Sequence, residues 1–417
     1  MDNEKFAEIF THQSEGVYYG AKELMYGNKP GFFLSAYDYQ RYLDYLDRHI
    51  DEKDWRLPSP SLKVFNGHRL HYCLSGDVLS LINGNITLGR QLRSMVSYDE
   101  LKRSRIYSEI EGSVNIESVP TTRRRLKELL EEGATATSVN DRIIQNMKAG
   151  IDFVETCPPF NESNLHTLYL LLSEGCLQED NLLREGELYR YDEVEIDSYH
   201  GCPATMIPEC MASLFAYVND VLTDEESNER ILSLLPHICH YYLVYIHPYF
   251  DYNGRTARMV SYWIYLLTGS PFIPPIASEA VQQTKSKYYA AIEQSRDARN
   301  DITYFLKYML GIVGDYAICY QNVIEMDAML SKHGILLTEV ERNYLKRILI
   351  SSDGLFHYAD FLRFAHTTMS KQGALKILNR FVDYGLLREV ITPSKTKFFE
   401  VNQGVIPYRM KHLGTRK

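Results

Sequence analysis

The most informative stretch of this 417-residue sequence is HPYFDYNGRTAR, from His247 to Arg258. Before it, from Ser227 to Ile246, apolar side chains recur at helical spacing and predict a buried helix. A second helical pattern starts near Arg255 and runs to about Leu267. Each residue type in the loop is ordinary by itself, but this combination at this spacing is not expected by chance. The loop is therefore the candidate functional site.

The loop combines a titratable imidazole, a carboxylate, an Asn-Gly turn and two arginines: His247, Asp251, Asn253, Gly254, Arg255 and Arg258. The two arginines share a helix face, because residues three apart are surface neighbours. Free backbone N–H groups at a helix start favour an anion. Mg²⁺ is commonly held by one or two carboxylates together with phosphate oxygens, a role open to Asp251. With an ordinary pKa of ~6.5, His247 can accept a proton near neutral pH. These residues predict a polyphosphate site with a base beside it.

The segment resembles the signature of the Fic/Doc family, HPFx[DE]GNGRxxR. Seven positions match in register: His247, Pro248, Asp251, Asn253, Gly254, Arg255 and Arg258. Tyr249 stands where the signature has Phe, and Tyr252 stands where it has the first Gly of GNG. Glycine at that place permits positive φ and close approach of a phosphate. Tyr252 is therefore the departure that bears on phosphate affinity and on the group transferred.

The resemblance extends over roughly residues 103–315 and implies protein adenylylation. In the family a target hydroxyl attacks the α-phosphate of ATP and pyrophosphate leaves. Carried over, His247 is the general base and Asp251 holds Mg²⁺. Asn253 and Gly254 cradle the α- and β-phosphates, and Arg255 and Arg258 clamp the β- and γ-phosphates. Two further implied elements are a substrate-aligning β-hairpin flap at Tyr189 to Gly201 and nucleotide contacts by Tyr288 and Tyr289.

A second short motif lies upstream, where Glu111-Gly112 reads as a helix end with Gly112 in the left-handed C′ position. It resembles the family's inhibitory motif [ST]xxxE[GN], with Tyr107 in the Ser/Thr position. The resemblance implies that Glu111 regulates the enzyme. We expect Glu111 to form an ion pair with Arg258 in the resting protein, because its carboxylate suits the guanidinium fork.

The fold class predicted from the whole pattern is mainly α: a Fic-type helical core with a β-hairpin flap and a C-terminal winged-helix domain. Residues 1–100 form an N-terminal helical and hairpin region. Here Ser75-Gly76 and Asn83-Gly84 read as turns between short strands. Residues 101–320 form the Fic core, with the inhibitory helix near 103–112. Residues 330–417 follow the order helix, helix, helix, two-stranded wing, which is typical of a winged helix.

The predicted winged helix carries a local excess of basic side chains: Lys371, Lys376, Arg380, Arg388, Lys395 and Lys397. This excess can meet duplex phosphates, with the helix from Ser370 to Tyr384 in the major groove. The whole chain, at a net charge of −9, has no general electrostatic preference for nucleic acid. DNA is therefore a candidate partner of the C-terminal domain only.

Composition excludes several other classes of protein. Hydrophobic residues are 45% and charged residues 24% of the chain, as in globular proteins. The seven cysteines include no CxxC pair, which favours reduced thiols. We find no signal peptide and no apolar run of membrane-spanning length. A cytoplasmic protein without membrane contact is expected.

Three readings of function stay open from the sequence. The first is an adenylyltransferase acting on a protein hydroxyl, with the chain itself among its candidate targets. The second is a DNA-binding regulator whose degenerate Fic core senses a ligand. The third is a Fic enzyme that transfers another group or removes AMP. The intact His247, Asp251 and Arg258 favour an enzyme, because a binding module need not retain a base. The target and a homodimeric state are left open.

Overall fold

The computed structural model describes residues 3–27, 32–52, 55–58, 61–95, 98–196, 199–269, 278–352, 354–365, 367–391 and 396–406, with the backbone alone for 98–105 and 123. This part of the chain is mainly α-helical, as predicted. The helices are α1 Asn3–Glu15, α2 Ala21–Tyr26, α3 Ala36–His49, α4 Gly76–Met95, α5 Tyr98–Ile116, α6 Arg123–Leu130, α7 Val139–Glu155, α8 Glu162–Ser173, α9 Ile207–Thr223, α10 Glu229–Ile246, α11 Asn253–Thr268, α12 Ser278–Gln283, α13 Lys285–Asp297, α14 Thr303–Ser331, α15 Glu339–Ser351, α16 Tyr358–Phe364 and α17 Lys371–Asp383.

The strands within the described ranges form three antiparallel two-stranded sheets. They are β1 Trp55–Arg56 with β2 Tyr72–Cys73, β3 Glu195–Ile196 with β4 Tyr199–His200, and β5 Leu387–Ile391 with β6 Lys397–Val401. The second sheet is a short hairpin in the segment predicted to be the flap. None of the described helices combines the length and the apolar character that crossing a bilayer requires.

The chain divides into two compact units that interleave along the sequence. The first comprises Met1–Thr87, Thr135–Ile276 and Lys285–Leu310, and the second comprises Leu88–Ala134, Ala277–Thr284 and Gly311–Lys417. The three consecutive segments expected from the sequence, 1–100, 101–320 and 330–417, stay a prediction. The whole loop from His247 to Arg258 belongs to the first unit, and Glu111 belongs to the second.

The core of the first unit is built on α10 and α11, which pack against each other, with α7 and α8 alongside. Nearly every side chain in the second half of α10 is buried. Three of these helices begin at residues whose side chains accept backbone N–H groups of the first turn: Ser138, Asn161 and Asn228. Such caps satisfy donors that the helix itself leaves free. The loop that leaves α10 is therefore anchored by a rigid scaffold.

The N-terminal part of the first unit is an aromatic cluster formed by α1, α3 and β1, and Phe10 stacks on Trp55 with ring centroids 5.8 Å apart. One expectation here was wrong. The predicted turns at Ser75-Gly76 and Asn83-Gly84 lie at the start and in the middle of α4. Val78, Ile82 and Ile86 are buried at helical spacing, and this burial outweighs the Asn-Gly turn preference.

In the second unit α5 continues to Ile116, so the predicted helix end at Glu111-Gly112 was also wrong. Gly112 has a different reason to be glycine. A Cβ atom on it would lie 2.4 Å from the backbone nitrogen of Glu279 and 2.5 Å from the carbonyl carbon of Ser278. Only a residue without a side chain lets α5 approach α12 this closely.

The C-terminal elements of the second unit follow the predicted order of three helices, α15 to α17, and a β5–β6 hairpin. Ser370 caps α17 by accepting the N–H of Gly373 at 3.2 Å, and Gly385, at φ 73°, follows its end. Phe356 pairs with Phe399 of the hairpin. The turn at 392–395, with Lys395, lies outside the described residues. Winged-helix membership stays a prediction.

Candidate active site

The end of α10 places His247 at the entrance to the loop. His247 has left-handed backbone angles, φ 56° and ψ 61°, and its N–H donates to the carbonyl of Leu243 at 2.9 Å. The helix therefore ends at the imidazole-bearing residue, because a left-handed residue cannot continue an α-helix. The side chain of His247 is half-buried. It lies on a rigid element and remains accessible.

Asn253 closes the loop that follows. Its side-chain carbonyl accepts the N–H of Tyr249 at 3.0 Å, and its amide donates to the carbonyl of Tyr249 at 2.7 Å. The ring of Tyr249 stacks on Tyr169 of α8 with centroids 3.7 Å apart. The side chain of Asn253 thus shapes the loop. Any phosphate contact by Asn253 would come from its backbone N–H at the start of α11.

The first turn of α11 carries Arg255 next to Tyr252. Tyr252 is the residue before the helix and has left-handed angles, φ 67° and ψ 6°, although it is not glycine. The guanidinium of Arg255 lies over the Tyr252 ring, 4.2 Å from its centroid. Arg255 is buried, and within the described part of the chain its Nε atom has no hydrogen-bond partner. A buried cation without an anion is costly, so this guanidinium suits an incoming anion.

Arg258 lies one turn further along α11 and is also buried. Its charge acts on His240 of α10, whose pKa is held well below its ordinary value, first by burial and then by Arg258. Neutral His240 shares a 2.8 Å hydrogen bond with the hydroxyl of Tyr288. Tyr288 is therefore buried in the core, and the nucleotide contact expected of it stays a prediction. Tyr289 is 46% exposed and remains open to a ligand.

Asp251 is the exposed member of the loop. One carboxylate oxygen, Oδ1, accepts the N–H of Tyr252 at 2.6 Å. Among the described residues no group of three or more His, Cys, Asp or Glu side chains is arranged to hold a metal ion. A cation here would have Asp251 as its carboxylate ligand and would need further oxygen ligands from the substrate. This donor set suits Mg²⁺ bound together with a polyphosphate, because Mg²⁺ keeps few protein ligands.

Sequence reasoning missed Arg190, which joins the flap segment to the loop. Arg190 is 2% exposed and donates from Nε to the carbonyl of His247 at 2.8 Å, while its backbone N–H donates to Pro248 at 2.9 Å. Its other guanidinium nitrogens donate to the carbonyls of Asp192, at 2.6 Å, and Cys202. The only signal in the sequence was an arginine within the predicted flap.

Glu111 lies in the second unit within a group of buried ionic side chains, which we call the buried charge cluster: Glu109, Glu111, Glu279, Lys346 and Arg347. Glu111 Oε2 pairs with Arg347 of α15, and Arg347 Nε also lies 3.5 Å from Glu279 Oε1. Lys346 Nζ is 2.9 Å from Glu279 Oε2. Burial alone would lower the pKa of Arg347, but Glu111 and Glu279 more than offset it and raise that pKa.

The structure thus brings His247, Asp251, Asn253, Gly254, Arg255 and Arg258 together in one loop and the first turns of one helix. It gives Glu111 the partner Arg347, which the sequence analysis did not foresee. The ion pair between Glu111 and Arg258 stays a prediction.

Comparison with known proteins agrees with this arrangement. Residues 159–265 match the family model described as Fic/DOC family. This stretch, about a quarter of the chain, runs from α8 through the flap hairpin and the loop into α11, so the Fic domain that it marks includes the whole candidate site.

Two relatives are named protein adenylyltransferases. One, Protein adenylyltransferase Fic from Drosophila mojavensis, is 26% identical over 213 residues, which is 50% of this chain and 40% of the relative. The other, Protein adenylyltransferase fic-1 from Caenorhabditis briggsae, is 31% identical over 112 residues, 27% of this chain and 20% of the relative. The chain therefore matches less than half the length of these relatives.

Two solved structures overlap the chain. A Fic family protein from Desulfovibrio desulfuricans G20 has a TM-score of 0.48 at 19% identity, covering 80% of this chain and 98% of the other. A Fic domain containing signaling protein from Bacteroides thetaiotaomicron VPI-5482 has a TM-score of 0.46 at 20% identity, covering 58% and 95%.

Proposed function

We propose that this chain is a protein adenylyltransferase that moves AMP from ATP to a protein hydroxyl. The observation that carries the proposal is Arg255. Its buried guanidinium has no anionic partner within the described residues, and Arg255 lies in the first turn of α11, four positions after the exposed Asp251. The names of the two relatives support ATP as the substrate and a protein as the acceptor.

The phosphate chain of ATP would lie across the start of α11. N–H groups at a helix N-terminus bind anions, and the helix dipole favours negative charge there. Gly254 and the backbone of Asn253 would serve the α- and β-phosphates. Arg255 and Arg258, three residues apart, would serve the β- and γ-phosphates.

Asp251 would hold Mg²⁺ together with phosphate oxygens. The bound ion neutralises charge on the phosphates. The protein contributes position: the Tyr252 N–H orients the Asp251 carboxylate, and the closed loop fixes the distance from Asp251 to the α11 amides.

His247 would accept the proton of the attacking hydroxyl. Its backbone is fixed at both ends, by the N–H bond to Leu243 and by the donation of Arg190 to its carbonyl. A general base contributes by being held within hydrogen-bond reach of the proton. The flap hairpin, tied to the same loop by Arg190, would align the target segment.

Glu111 belongs to the proposal as the regulatory residue, on the strength of the resemblance of residues 107–112 to the inhibitory motif. When Glu111 engages Arg258, the arginine is withheld from the γ-phosphate. Its pairing with Arg347 gives the same carboxylate a second partner. A switch between two arginines of this kind controls activity without altering the loop itself.

Incubation of the full chain with ATP and Mg²⁺, followed by intact mass measurement of the chain and of added acceptor proteins, tests the proposal. We expect an increase by one AMP that is absent with His247→Ala. An increase by one phosphate would reject AMP transfer, and so would an AMP increase that His247→Ala retains.

DNA binding by the C-terminal elements is the second candidate function. Lys371 and Lys376 are exposed on α17, which favours it, but Arg380 pairs with Glu341 at 3.0 Å and Lys397 pairs with Glu389. Binding of the full chain to duplex DNA at increasing salt tests this candidate. Lys371→Ala with Lys376→Ala should weaken salt-sensitive binding, and a null effect would reject it.

A further inference from the structure

Tyr252, which replaces the first glycine of the family signature, is held in a conformation that an aromatic residue rarely adopts. Its φ of 67° is in the left-handed region, where a Cβ atom meets the following carbonyl. Its side chain is nevertheless 4% exposed. Backbone strain of this kind persists only where the surroundings determine the conformation, and it is concentrated at ligand sites.

Two contacts fix the ring. On its face lies the guanidinium of Arg255, 4.2 Å from the ring centroid. The thiol of Cys176, in the turn after α8, is hydrogen-bonded to the Tyr252 side chain. Burial raises the pKa of this thiol, whereas a hydrogen bond with Tyr252 and the charges of Arg142 and Arg255 act to lower it. Asn146 of α7 holds the same turn by donating to the carbonyl of Glu174 at 2.9 Å.

We propose that Tyr252 is a positioning residue that holds the Arg255 guanidinium for the terminal phosphates. The ring stabilises a buried cation that has no carboxylate partner among the described residues, and it leaves the nitrogens of Arg255 for the ligand. A carboxylate in its place would stabilise the cation as well but would compete with the phosphate. An aromatic face neutralises no charge, so the cation remains available to an anion.

This inference rests on the proposed function in taking ATP as the ligand. It predicts that Tyr252 acts on the phosphates beyond the first and not on the nucleoside. Replacing Tyr252 should lower the affinity for ATP and inorganic pyrophosphate, whereas the affinity for AMP, which lacks the β- and γ-phosphates, should not change. The ratio of ATP to AMP affinity is therefore the quantity to measure.

Titration calorimetry of the full chain with ATP, AMP and pyrophosphate, each with Mg²⁺, provides the test. Tyr252→Asn tolerates positive φ and lacks the ring, so it should weaken ATP and pyrophosphate about tenfold and AMP less than about twofold. Tyr252→Phe keeps the ring and should stay within about twofold of wild type for all three. Tyr252→Gly, which adopts positive φ freely, replaces the Asn variant if thermal melting shows that variant to be unfolded.

A double-mutant cycle with Arg255→Ala separates positioning from a general structural role. If Tyr252 acts through Arg255, then Tyr252→Asn should have no further effect on ATP affinity once Arg255 is removed. If Tyr252→Asn lowers ATP affinity equally in the wild-type and Arg255→Ala backgrounds, the inference is overturned. An equal loss of affinity for AMP and for ATP overturns it as well. Because pyrophosphate binding needs no transfer reaction, the inference can survive even if the chain fails to transfer AMP.

Discussion

The loop from His247 to Arg258 and the buried charge cluster around Glu111 contain the same kinds of charged side chain in different surroundings. In the loop a carboxylate is exposed at Asp251, and the Arg255 guanidinium has an aromatic ring as its partner. In the cluster carboxylates and cations are buried together, as in the pair of Glu111 with Arg347. The Arg255 cation in the loop lacks a carboxylate partner among the described residues, whereas both cations of the cluster are paired with carboxylates. The partners of a charged side chain, more than its type, distinguish a side chain that can bind a ligand from one that forms a structural ion pair.

The largest effect expected is on catalysis in the loop. His247→Ala should lower the rate of AMP transfer ~10²- to 10⁴-fold, because a general base contributes about that much. ATP affinity, measured separately by calorimetry, should change little, since the phosphate contacts begin at Asp251. His333→Ala removes an exposed imidazole and is the matched control. Equal loss in both variants, or full activity of His247→Ala, would contradict the role of the loop.

The next largest effect concerns stability in the cluster. Arg347→Ala leaves the buried Glu111 carboxylate without its cation, which typically costs about 3–5 kcal/mol. Denaturant unfolding should show this loss. Arg342→Ala on the same helix is the control, because its pair with Asp327 is 42% exposed on the arginine side and such pairs are worth about 0–1 kcal/mol.

A double variant sharpens this prediction. Glu111→Gln with Arg347→Met removes both charges, so it should recover most of the loss. If Arg347→Ala lowers the unfolding free energy no more than Arg342→Ala does, the cluster does not behave as a buried ionic unit.

A smaller effect is expected for the proposed regulation by Glu111. Glu111→Gly should raise AMP labelling roughly tenfold, within the usual range of regulatory coupling. Arg258→Ala should lower labelling even in the Glu111→Gly background. Glu131→Gly, which removes an exposed carboxylate at the end of α6, should leave labelling unchanged. If Glu111→Gly leaves labelling unchanged, then α5 has a structural role and does not inhibit the reaction.

The last expected effect is on pH dependence, and it reflects the way the first unit buries histidine. Burial lowers the pKa of His237 to about 4, so the folded protein holds it neutral, while the unfolded chain takes up a proton below ~6.5. The unfolding free energy should therefore fall as pH drops from about 6.5 towards 4, by up to ~1.4 kcal/mol per pH unit from this group. Above that window His237 contributes no slope.

Denaturant unfolding of wild type and His237→Asn across this range measures the difference in slope. His333→Asn, at an exposed position, should keep the wild-type slope. A His237→Asn variant with the same slope as wild type would show that the residue is not buried neutral.

The two regions also differ in how much of them could be predicted from sequence. The loop is continuous along the chain, so the spacing of His247, Asp251 and Arg255 was enough to predict their grouping. The helix boundaries near it and the β5–β6 hairpin were predicted from periodicity and turn residues. Gly112 was misread, because a glycine needed for close packing of two helices looks in sequence like a helix end.

Contacts between distant positions were beyond such reasoning. Arg190 reaches His247 across 57 positions, and Arg347 reaches Glu111 across 236. Nothing local in the sequence ties these partners together, because both pairs depend on the tertiary packing of segments that are far apart in the sequence. The strained backbone of Tyr252 belongs to the same class. The sequence showed that Tyr252 replaces a glycine, but only the structure shows that the Arg255 guanidinium lies over its ring.

The most direct test of the central claim is to compare ATP labelled on the α-phosphate with ATP labelled on the γ-phosphate. Wild type, Glu111→Gly and His247→Ala would be incubated with each form, Mg²⁺ and added acceptor proteins, and protein-bound label would be counted. We expect protein-bound label from the α-phosphate only, stronger in Glu111→Gly than in wild type and absent in His247→Ala. Label from the γ-phosphate, or no label from either form in Glu111→Gly, would contradict it.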